Sequence, residues 1–173
     1  EVCAYYMKHH KFLVGLKKQV MNAIKYLESN INKKFGCSKN PLLLSVRSGA
    51  RQSMPGMMET VLNIGLNSKT AIGLINQTQN PKFVYDSLRR LMMMYSDVVM
   101  EKLHPNNIEK NSIRNQLEKI LDKIKIKHQY KNDSDLSKKN LIELCELFKS
   151  KIYKKFNTPF PNNPQKQLWG AID

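Results

Sequence analysis

The chain has few of the residues that would build a membrane span, a disulfide framework or a zinc site. Its 173 residues include only three cysteines, Cys3, Cys37 and Cys145, an odd number at wide spacing. No run of eighteen apolar residues occurs, so no membrane-spanning helix is expected. Residues 1–16 lack the uninterrupted apolar segment of a signal peptide. We therefore expect a folded chain without a membrane partner in a reducing intracellular location, the cytoplasm or an organelle.

Acidic side chains are also scarce. The chain has 14 of them against 29 basic ones, which gives a formal net charge of +15. Of the cations, 24 are lysine and five are arginine, and asparagine occurs 17 times. A genome rich in A and T would place lysine and asparagine on exposed positions without any binding partner, and we prefer this explanation. The alternative is a basic helical module that binds nucleic acid, but such a surface usually holds more arginine and interleaved aromatic residues.

Common catalytic and metal-binding motifs are missing. No HExxH, CxxC, GxSxG, EF-hand or Walker-type pattern occurs. None of the four histidines has a serine, cysteine or carboxylate at a spacing typical of a nucleophile or a metal centre. We expect surface imidazoles at His9, His10, His104 and His128.

Three carboxylates lie on the segment that also carries the methionine triplet 92–94, namely Asp86, Asp97 and Glu101. Asp97 and Glu101 are four residues apart and would share a helix face. Paired carboxylates can bind a metal, but salt bridges with Arg89, Arg90 or Lys102 are the interpretation that we favour. The methionines are expected to fill the core.

Most of the chain has the apolar spacing of amphipathic helices. Residues 3–31 predict one or two helices, with a break near His9–His10 or Gly15 and an end at Gly36. Residues 68–156 predict an all-helical unit of about four helices. Their expected boundaries are caps at Asn67 or Ser68, Asn80 and Ser137, a helix from Pro81 through Met100 with Val98 on its apolar stripe, a stop at Pro105, and a helix over 107–126.

Residues 42–66 differ from everything around them. The segment contains no lysine, one acid at Glu59, and two arginines, Arg47 and Arg51. Leu42–Val46 predicts one buried strand, 48–57 a loop of small residues, and Val61–Leu66 a second short strand or irregular segment. A loop with few obstructing side chains and two guanidinium groups suits an anion.

The same stretch carries a family resemblance. Residues 45–67, S-V-R-S-G-A-R-Q-S-M-P-G-M-M-E-T-V-L-N-I-G-L-N, resemble the signature of the pyruvate phosphate dikinase family. Further segments resemble the same family and extend the likeness nearly from end to end, with a weaker part at 101–132. They are N-K-K-F-G at 32–36, N-P-K-F-V-Y-D-S-L-R-R at 80–90, M-Y-S-D-V-V-M at 94–100, D-S-D-L-S at 133–137 and F-P-N-N-P-Q-K-Q-L-W-G-A at 160–171.

The resemblance implies a fold and a reaction. The fold would be mainly α with a small β element, as part of an α+β nucleotide-binding domain of the ATP-grasp type. Residues 1–67 would belong to the ATP-binding subdomain, 68–156 to a helical subdomain, and 157–173 to a segment returning to the first. The family interconverts ATP, phosphate and pyruvate with AMP, diphosphate and phosphoenolpyruvate, and a histidine on a swivelling domain carries the phosphoryl group.

The resemblance also implies which residues bind the nucleotide. Arg47 matches the arginine that grips the polyphosphate, and the wider dikinase pattern places Gly56 and Thr60 nearby. Arg51 and Ser53 are weaker candidates. Other roles stay open at this point, because Arg47 could instead pair with a buried acid, Gly56 could serve only a turn, and Thr60 could be an ordinary strand or cap residue.

Several catalytic and metal-binding groups of the family have no counterpart in residues 1–173. No catalytic residue or metal ligand is therefore expected in this chain. We therefore expect an inactive piece of a longer, homo-oligomeric enzyme that uses ATP, phosphate and Mg²⁺, with no cofactor bound to the piece alone. Its partners would be the remaining domains of the parent chain. Within the family, a phosphoenolpyruvate synthase is the alternative. Without the remaining domains, we also expect the loop 49–58 to be mobile or placed nonproductively.

Overall fold

A computed structural model describes residues 2–47, 60–103 and 112–173. Within these ranges the chain is mainly helical with two small sheets, as the sequence predicts. The helices are α1 (Val2–His9), α2 (Leu16–Ile31), α3 (Ser68–Thr78), α4 (Pro81–Tyr95), α5 (Ile113–His128), α6 (Lys138–Phe156) and α7 (Pro164–Ile172). The strands are β1 (Lys34–Phe35), β2 (Pro41–Leu42), β3 (Leu44–Val46) and β4 (Val61–Ile64).

The predicted break near the start of the chain is confirmed. Helices α1 and α2 are separate, and the residues between them include His10 with φ 50° and Gly15 with φ 89°. The predicted helical range ends at residue 31, and this end is confirmed because α2 runs to Ile31. The role predicted for Gly36 is wrong, since the residue that follows the helix in the left-handed conformation is Asn32. Asparagine tolerates that conformation better than most residues with a β-carbon, so it can end a helix in place of glycine.

The two sheets contain two strands each. Strand β1 pairs with β2 in parallel, and β3 pairs with β4 antiparallel. The single buried strand predicted over Leu42–Val46 is therefore wrong, since the run is divided between two sheets. Leu42 is buried where it pairs with Phe35, whereas Ser45 is exposed between half-buried Leu44 and Val46. The apolar run predicted a strand correctly but could not indicate that its two ends have different partners.

Asparagine side chains start the two central helices. Asn67 caps α3 by accepting hydrogen bonds from the backbone N–H groups of Lys69 and Thr70, and the Thr70 hydroxyl completes a capping box. Asn80 caps α4 by accepting from the Phe83 N–H, with Pro81 at the first helical position. These predicted starts are confirmed, because a side-chain acceptor at the cap satisfies N–H groups that have no partner within the helix.

Helix α4 does not continue unchanged to Met100. It passes into a π-helical segment over Ser96–Met100, in which the Glu101 N–H bonds to the Ser96 carbonyl five residues earlier. The wider turn moves the apolar stripe by one residue, so Val99 is 8% exposed while Val98 is only partly buried. The prediction that Val98 lies on the apolar stripe is confirmed, since it packs against the core, but Val99 and Met100 are the residues of this turn that are buried.

Helices α4, α5 and α6 pack together around the main core. Their inner faces supply residues that are almost fully buried, including Val84, Leu91, Leu117, Leu144, Phe148 and Ile152. The same apolar cluster extends to Val61 and Ile64 of β4 and to Leu168 of α7. The segment 68–156 thus contains four α-helices in its described parts, and their core is continuous with the hairpin β3–β4.

Two predicted features of the following segment cannot be compared with the structure. Pro105 and the first residues of the helix predicted over 107–126 lie outside the described residues. The described helix α5 begins after Ser112, whose hydroxyl accepts a hydrogen bond from the Asn115 N–H. Among the helices of the described ranges, none combines the length and apolar character needed to span a bilayer.

Candidate phosphate-binding site

The two ends of the predicted phosphate loop are held together by strand pairing. Val46 and Val61 are partners in the antiparallel pair β3–β4. Arg47 directly follows Val46, and Thr60 directly precedes Val61. Consequently Arg47 and Thr60, which are thirteen positions apart in the chain, both stand at the same end of one small sheet.

The pairing contains an irregularity close to this end. Leu44 pairs with Ile64 and Val46 with Val61, so β4 has one more residue than β3 between the two pairs. Asn63 lies in this interval with φ 60°. A bulge of this kind bends and twists a strand locally, and it can change the direction in which flanking residues point.

Arg47 differs from the other described arginines in its environment. Arg89, Arg90 and Arg114 each form an ion pair with at least one carboxylate. Arg47 is exposed and has no ion-pair or hydrogen-bond partner within the described residues. The alternative role for Arg47, pairing with a buried acid to hold the fold, therefore has no support in this part of the chain. A free guanidinium offers a planar set of donors that fits phosphate oxygens.

Thr60 is half-buried and directly precedes β4. The three remaining predicted contacts, Arg51, Ser53 and Gly56, lie outside the described residues, as does the loop 49–58 that we expected to be mobile. The structure thus brings Arg47 and Thr60 to one place and leaves the assignment of the other residues as a prediction.

A buried polar junction behind the hairpin was missed by the sequence analysis. Gln167 of α7 is fully buried, and its side chain bonds to the backbone of Gly65 and Leu66, directly after β4. Glutamine early in a short helix gives no signal of burial by composition or periodicity. Only the likeness of residues 160–171 to the dikinase family pointed to this segment, and it did not indicate Gln167 in particular.

The carboxylates on α4 and its π-helical extension form ion pairs, as predicted for Asp86. Asp86 accepts from Arg89 at 2.7 Å and from Arg90 at 2.8 Å. Asp97 and Glu101 also form ion pairs, but with distant residues instead of the predicted neighbours, namely with Arg114 and Lys155. The spacing of charges along one helix could not indicate these partners, because they come from α5 and α6.

Asp86, Arg89 and Arg90 form a charged cluster that also includes Asp133, from the turn before α6. Arg89 donates to Asp133 at 3.1 Å, and Lys125 also donates at 3.1 Å. Burial alone would raise the pKa of Asp133, but the Lys125 hydrogen bond and the charges of Arg89, Lys125 and Arg90 outweigh it, so this pKa lies below its usual value. Because two segments that resemble the dikinase family, 80–90 and 133–137, meet at this cluster, their charged residues have a structural use.

No group of three or more histidine, cysteine, aspartate or glutamate residues is arranged to hold a metal ion within the described ranges. The described histidines His9, His10 and His128 are exposed, in agreement with the predicted surface imidazoles, and His104 lies outside the described residues. His128 stacks on Tyr130 with 5.4 Å between ring centroids, and its Nε2 lies 3.1 Å from the Asn140 side-chain amide.

An open groove of about 390 Å³ lies elsewhere, between the turn after β1 and helix α3. It is lined by Ser38, Lys39, Lys69, Ile72 and Asn76, which include none of the predicted site residues. The groove therefore does not add to the candidate site at the hairpin.

Comparisons with known proteins agree with the resemblance found in the sequence. The chain is 43% identical over 175 residues to pyruvate, phosphate dikinase of Clostridium symbiosum. The aligned region covers 99% of this chain and 19% of that protein. It is 39% identical over 173 residues to the Giardia intestinalis protein of the same name, covering 100% of this chain and 18% of that protein. The chloroplastic pyruvate, phosphate dikinase 1 of Arabidopsis thaliana is 40% identical over 174 residues, covering 100% of this chain and 17% of that protein.

No family model matches the chain. The matches to the dikinases nevertheless cover the described helices, both strands of the hairpin and the residues between them. The chain spans less than a fifth of the length of each of these three relatives. Along nearly all of its length, it is therefore similar to one segment of the pyruvate, phosphate dikinases.

Proposed function

We propose that the chain is part of the ATP-binding domain of a pyruvate phosphate dikinase, with Arg47 and Thr60 at the site that binds the polyphosphate of ATP. The parent enzyme would convert ATP, phosphate and pyruvate to AMP, diphosphate and phosphoenolpyruvate. One observation supports this proposal most directly. Arg47 is exposed and has no ion-pair or hydrogen-bond partner among the described residues, and it lies at the same end of the hairpin β3–β4 as Thr60.

The chemistry of phosphoryl transfer explains what these residues would do. Negative charge shifts between phosphate oxygens as the phosphoryl group leaves the nucleotide, and fixed cationic donors stabilise that charge most effectively. Arg47 would supply a bidentate donor, and the Thr60 hydroxyl a further hydrogen bond. Gly56, if it lies beside them, would let the backbone approach the phosphates closely. Arg51 and Ser53 remain secondary candidates for the same contacts.

Magnesium would have to be held mainly by other parts of the parent enzyme. It prefers oxygen ligands arranged in an octahedron. The carboxylates of Asp86, Asp97, Glu101 and Asp133 are all engaged with arginine or lysine side chains. These residues do not fit a magnesium site, so we assign no step of the reaction to a metal held by them.

The rest of the proposal concerns the parent protein. We place residues 1–67 and 157–173 in an ATP-binding subdomain of the ATP-grasp type and 68–156 in its helical subdomain. The partners would be ATP, phosphate, and the phosphohistidine and pyruvate-binding domains of the parent, which we expect to form a homo-oligomer in the cytoplasm or an organelle. Residues 1–173 alone should have no turnover.

A direct experiment compares the parent protein with residues 1–173 alone. The parent, incubated with ATP and phosphate, should form AMP and diphosphate, while the isolated chain should form neither. A parent without this nucleotide half-reaction would overturn the proposal. Turnover by the isolated chain would show that residues 1–173 do not need other parts of the parent to complete the site.

The basic net charge provides a second comparison. We expect residues 1–173 to bind tripolyphosphate weakly and to lose that binding in Arg47→Ala, because the Arg47 guanidinium has no ion-pair partner among the described residues. A nucleic-acid module would instead bind DNA or RNA with an affinity that falls steeply with salt. Tight, salt-sensitive binding to nucleic acid that is unchanged in Arg47→Ala would favour the alternative function.

A further inference from the structure

The end of strand β4 is joined to helix α7 by one buried glutamine. Gln167 is 0% exposed, and its Oε1 accepts a hydrogen bond from the Gly65 N–H at 2.8 Å. Its Nε2 donates to the Leu66 carbonyl at 3.1 Å and to the Pro161 carbonyl at 2.8 Å. One side chain thereby connects the residues after β4, the loop before α7 and α7 itself.

The backbone at this point needs a partner from outside the sheet. Gly65 has φ 100°, so the chain leaves the extended conformation directly after β4. The Gly65 N–H and the Leu66 carbonyl are buried just after β4, where the sheet supplies no hydrogen-bond partner for them. Unpaired buried backbone groups are strongly unfavourable. The Gln167 amide supplies a donor and an acceptor in the required geometry.

A second connection reinforces the first. The Asn67 side chain donates to the Asn162 carbonyl at 2.9 Å, and the Thr70 hydroxyl donates to the Gly65 carbonyl at 2.8 Å. Helix α7 also contacts both β3 and β4. The position of the hairpin relative to the helices therefore depends on a polar junction around Gly65–Asn67, in addition to apolar packing.

The junction and the candidate site lie at opposite ends of the same strand. Ile64 at the end of β4 pairs with Leu44, and Val61 at its start pairs with Val46. Arg47 follows Val46 directly. A displacement of the Gly65 end would reach the residue before Arg47 through β4, because Ile64 and Val61 are both buried and are fixed by pairing with Leu44 and Val46.

We infer that Gln167 is a positioning residue for the nucleotide half-reaction, acting through strand β4 and its partner β3 on Arg47. The inference rests on the proposed function and extends it to a residue in α7 that would not touch the nucleotide. A positioning role can be distinguished from general support of the fold. If Gln167 positions Arg47, the two residues should be energetically coupled in the nucleotide half-reaction only.

The test uses the parent protein and a double-mutant cycle. Gln167→Met keeps an unbranched side chain of similar length but removes both hydrogen-bonding groups. We expect it to lower kcat of the nucleotide half-reaction on the order of tenfold to a hundredfold, the range that a small misplacement of a catalytic group produces. Phosphoryl transfer from phosphoenolpyruvate to the enzyme should be unchanged. In an Arg47→Ala background, Gln167→Met should cost less than about twofold more, because the group that it positions is already gone.

Two further variants keep the test decisive. Asn140→Leu removes another buried polar side chain, which bonds to Tyr130 and Ser137 in the helical part, and it should leave the nucleotide half-reaction unchanged even where it lowers Tm. Should Gln167→Met fail to fold, Asn67→Ser offers a second variant, because serine is also a preferred cap acceptor but lacks the amide group that donates to Asn162. It should lower the same half-reaction by a smaller factor, again only when Arg47 is present.

Three results would contradict the inference. Equal losses from Gln167→Met with and without Arg47 would show that the two residues act independently. Equal losses in both half-reactions would show a general structural role. A wild-type parent with no nucleotide half-reaction would overturn the proposed function and this inference with it, whereas an active wild type with additive variants would overturn only the inference.

Discussion

At the scale of single residues, Gly73 shows how closely helix α3 packs against the turn after β1. It lies in helix α3, and a β-carbon at this position would be 2.1 Å from the Ser38 carbonyl oxygen. The obstacle is backbone, which cannot turn aside as a flexible side chain could. The glycine is therefore required by the approach of the turn after β1 and not by its own conformation.

Gly73→Ala should lower the free energy of unfolding even though alanine is the better helix former. The gain in helix propensity is about 0.5–1 kcal/mol, while forcing extra volume into a packed site typically costs about 1–3 kcal/mol. We expect a net loss of about 1–2 kcal/mol in urea denaturation. Asn76→Ala, at an exposed position of the same helix, serves as the control and should change stability little. A Gly73→Ala variant that is more stable than the wild type would show that the turn moves away freely.

Arg47 illustrates which properties of a site residue follow from the sequence and which do not. Its identity, its position after a short strand and the resemblance of its surroundings to the dikinase signature all indicate a phosphate ligand from the sequence alone. Its lack of a partner within the described residues could not be predicted, because Arg89, Arg90 and Arg114 have the same chemistry and are all paired. Whether an arginine is free depends on carboxylates that other elements bring into reach.

At the scale of elements, local signals predicted helix starts better than strand partners. Asn67, Asn80 and Ser137 were recognised because a cap is formed between residues two or three apart in sequence. The division of residues 41–46 into two strands depends on Phe35 and Ile64, which are far apart in the chain. The burial of Val99 in addition to the predicted stripe depends on a π-helical turn that apolar periodicity alone does not indicate.

The two asparagine caps should differ in their contribution to stability. Asn67 is 6% exposed, caps α3 through two backbone N–H groups and also bonds to Asn162. Asn80 is exposed and accepts from one N–H group. We expect Asn67→Ala to cost about 2 kcal/mol and Asn80→Ala about 1 kcal/mol, the upper and middle parts of the range for caps. Denaturant titrations of both variants measure this difference, and equal losses would show that the bond to Asn162 adds nothing.

A buried ion pair connects three elements. Glu101, after the π-helical segment, pairs with Lys155 of α6, and both side chains are 8% exposed. The same carboxylate accepts from the Ile113 N–H at the start of α5. Loss of the lysine would leave a buried carboxylate without its ion-pair partner, which is a much larger penalty than loss of a surface pair.

Lys155→Met should therefore lower the free energy of unfolding by about 3–5 kcal/mol. Lys149→Met is the matched control, because Lys149 pairs with Glu146 on the same helix while 38% exposed, against 66% for its partner. Such a surface pair contributes about 0–1 kcal/mol. The double variant Lys155→Met with Glu101→Gln should recover part of the loss, since the buried charge is then absent. Similar losses for the Lys149 and Lys155 variants would contradict this account of the pair.

At the scale of the whole molecule, the net charge of +15 does not by itself identify a ligand. Several arginines and lysines join different elements through Asp97, Glu101 and Asp133, while Asp86 pairs with arginines of its own helix. The candidate site depends instead on one arginine whose place is set by β3, β4 and the junction at Gln167. Burial of Gln167 is a property of the assembled chain, since Gln167 is 102 positions from Gly65, so sequence patterns could not reveal it.

The central claim is that the Arg47 side chain binds the polyphosphate of ATP. The most direct test of this claim is the Arg47→Ala variant of the parent protein. We expect the nucleotide half-reaction to lose about 2.7–4 kcal/mol of transition-state stabilisation, or roughly a hundredfold to a thousandfold in rate, as when other preorganised donors are removed. Phosphoryl transfer from phosphoenolpyruvate should be unchanged, and Arg90→Ala, which removes an exposed arginine paired with Asp86, should leave both half-reactions intact. An unchanged nucleotide half-reaction in Arg47→Ala would remove Arg47 from the site and contradict the account.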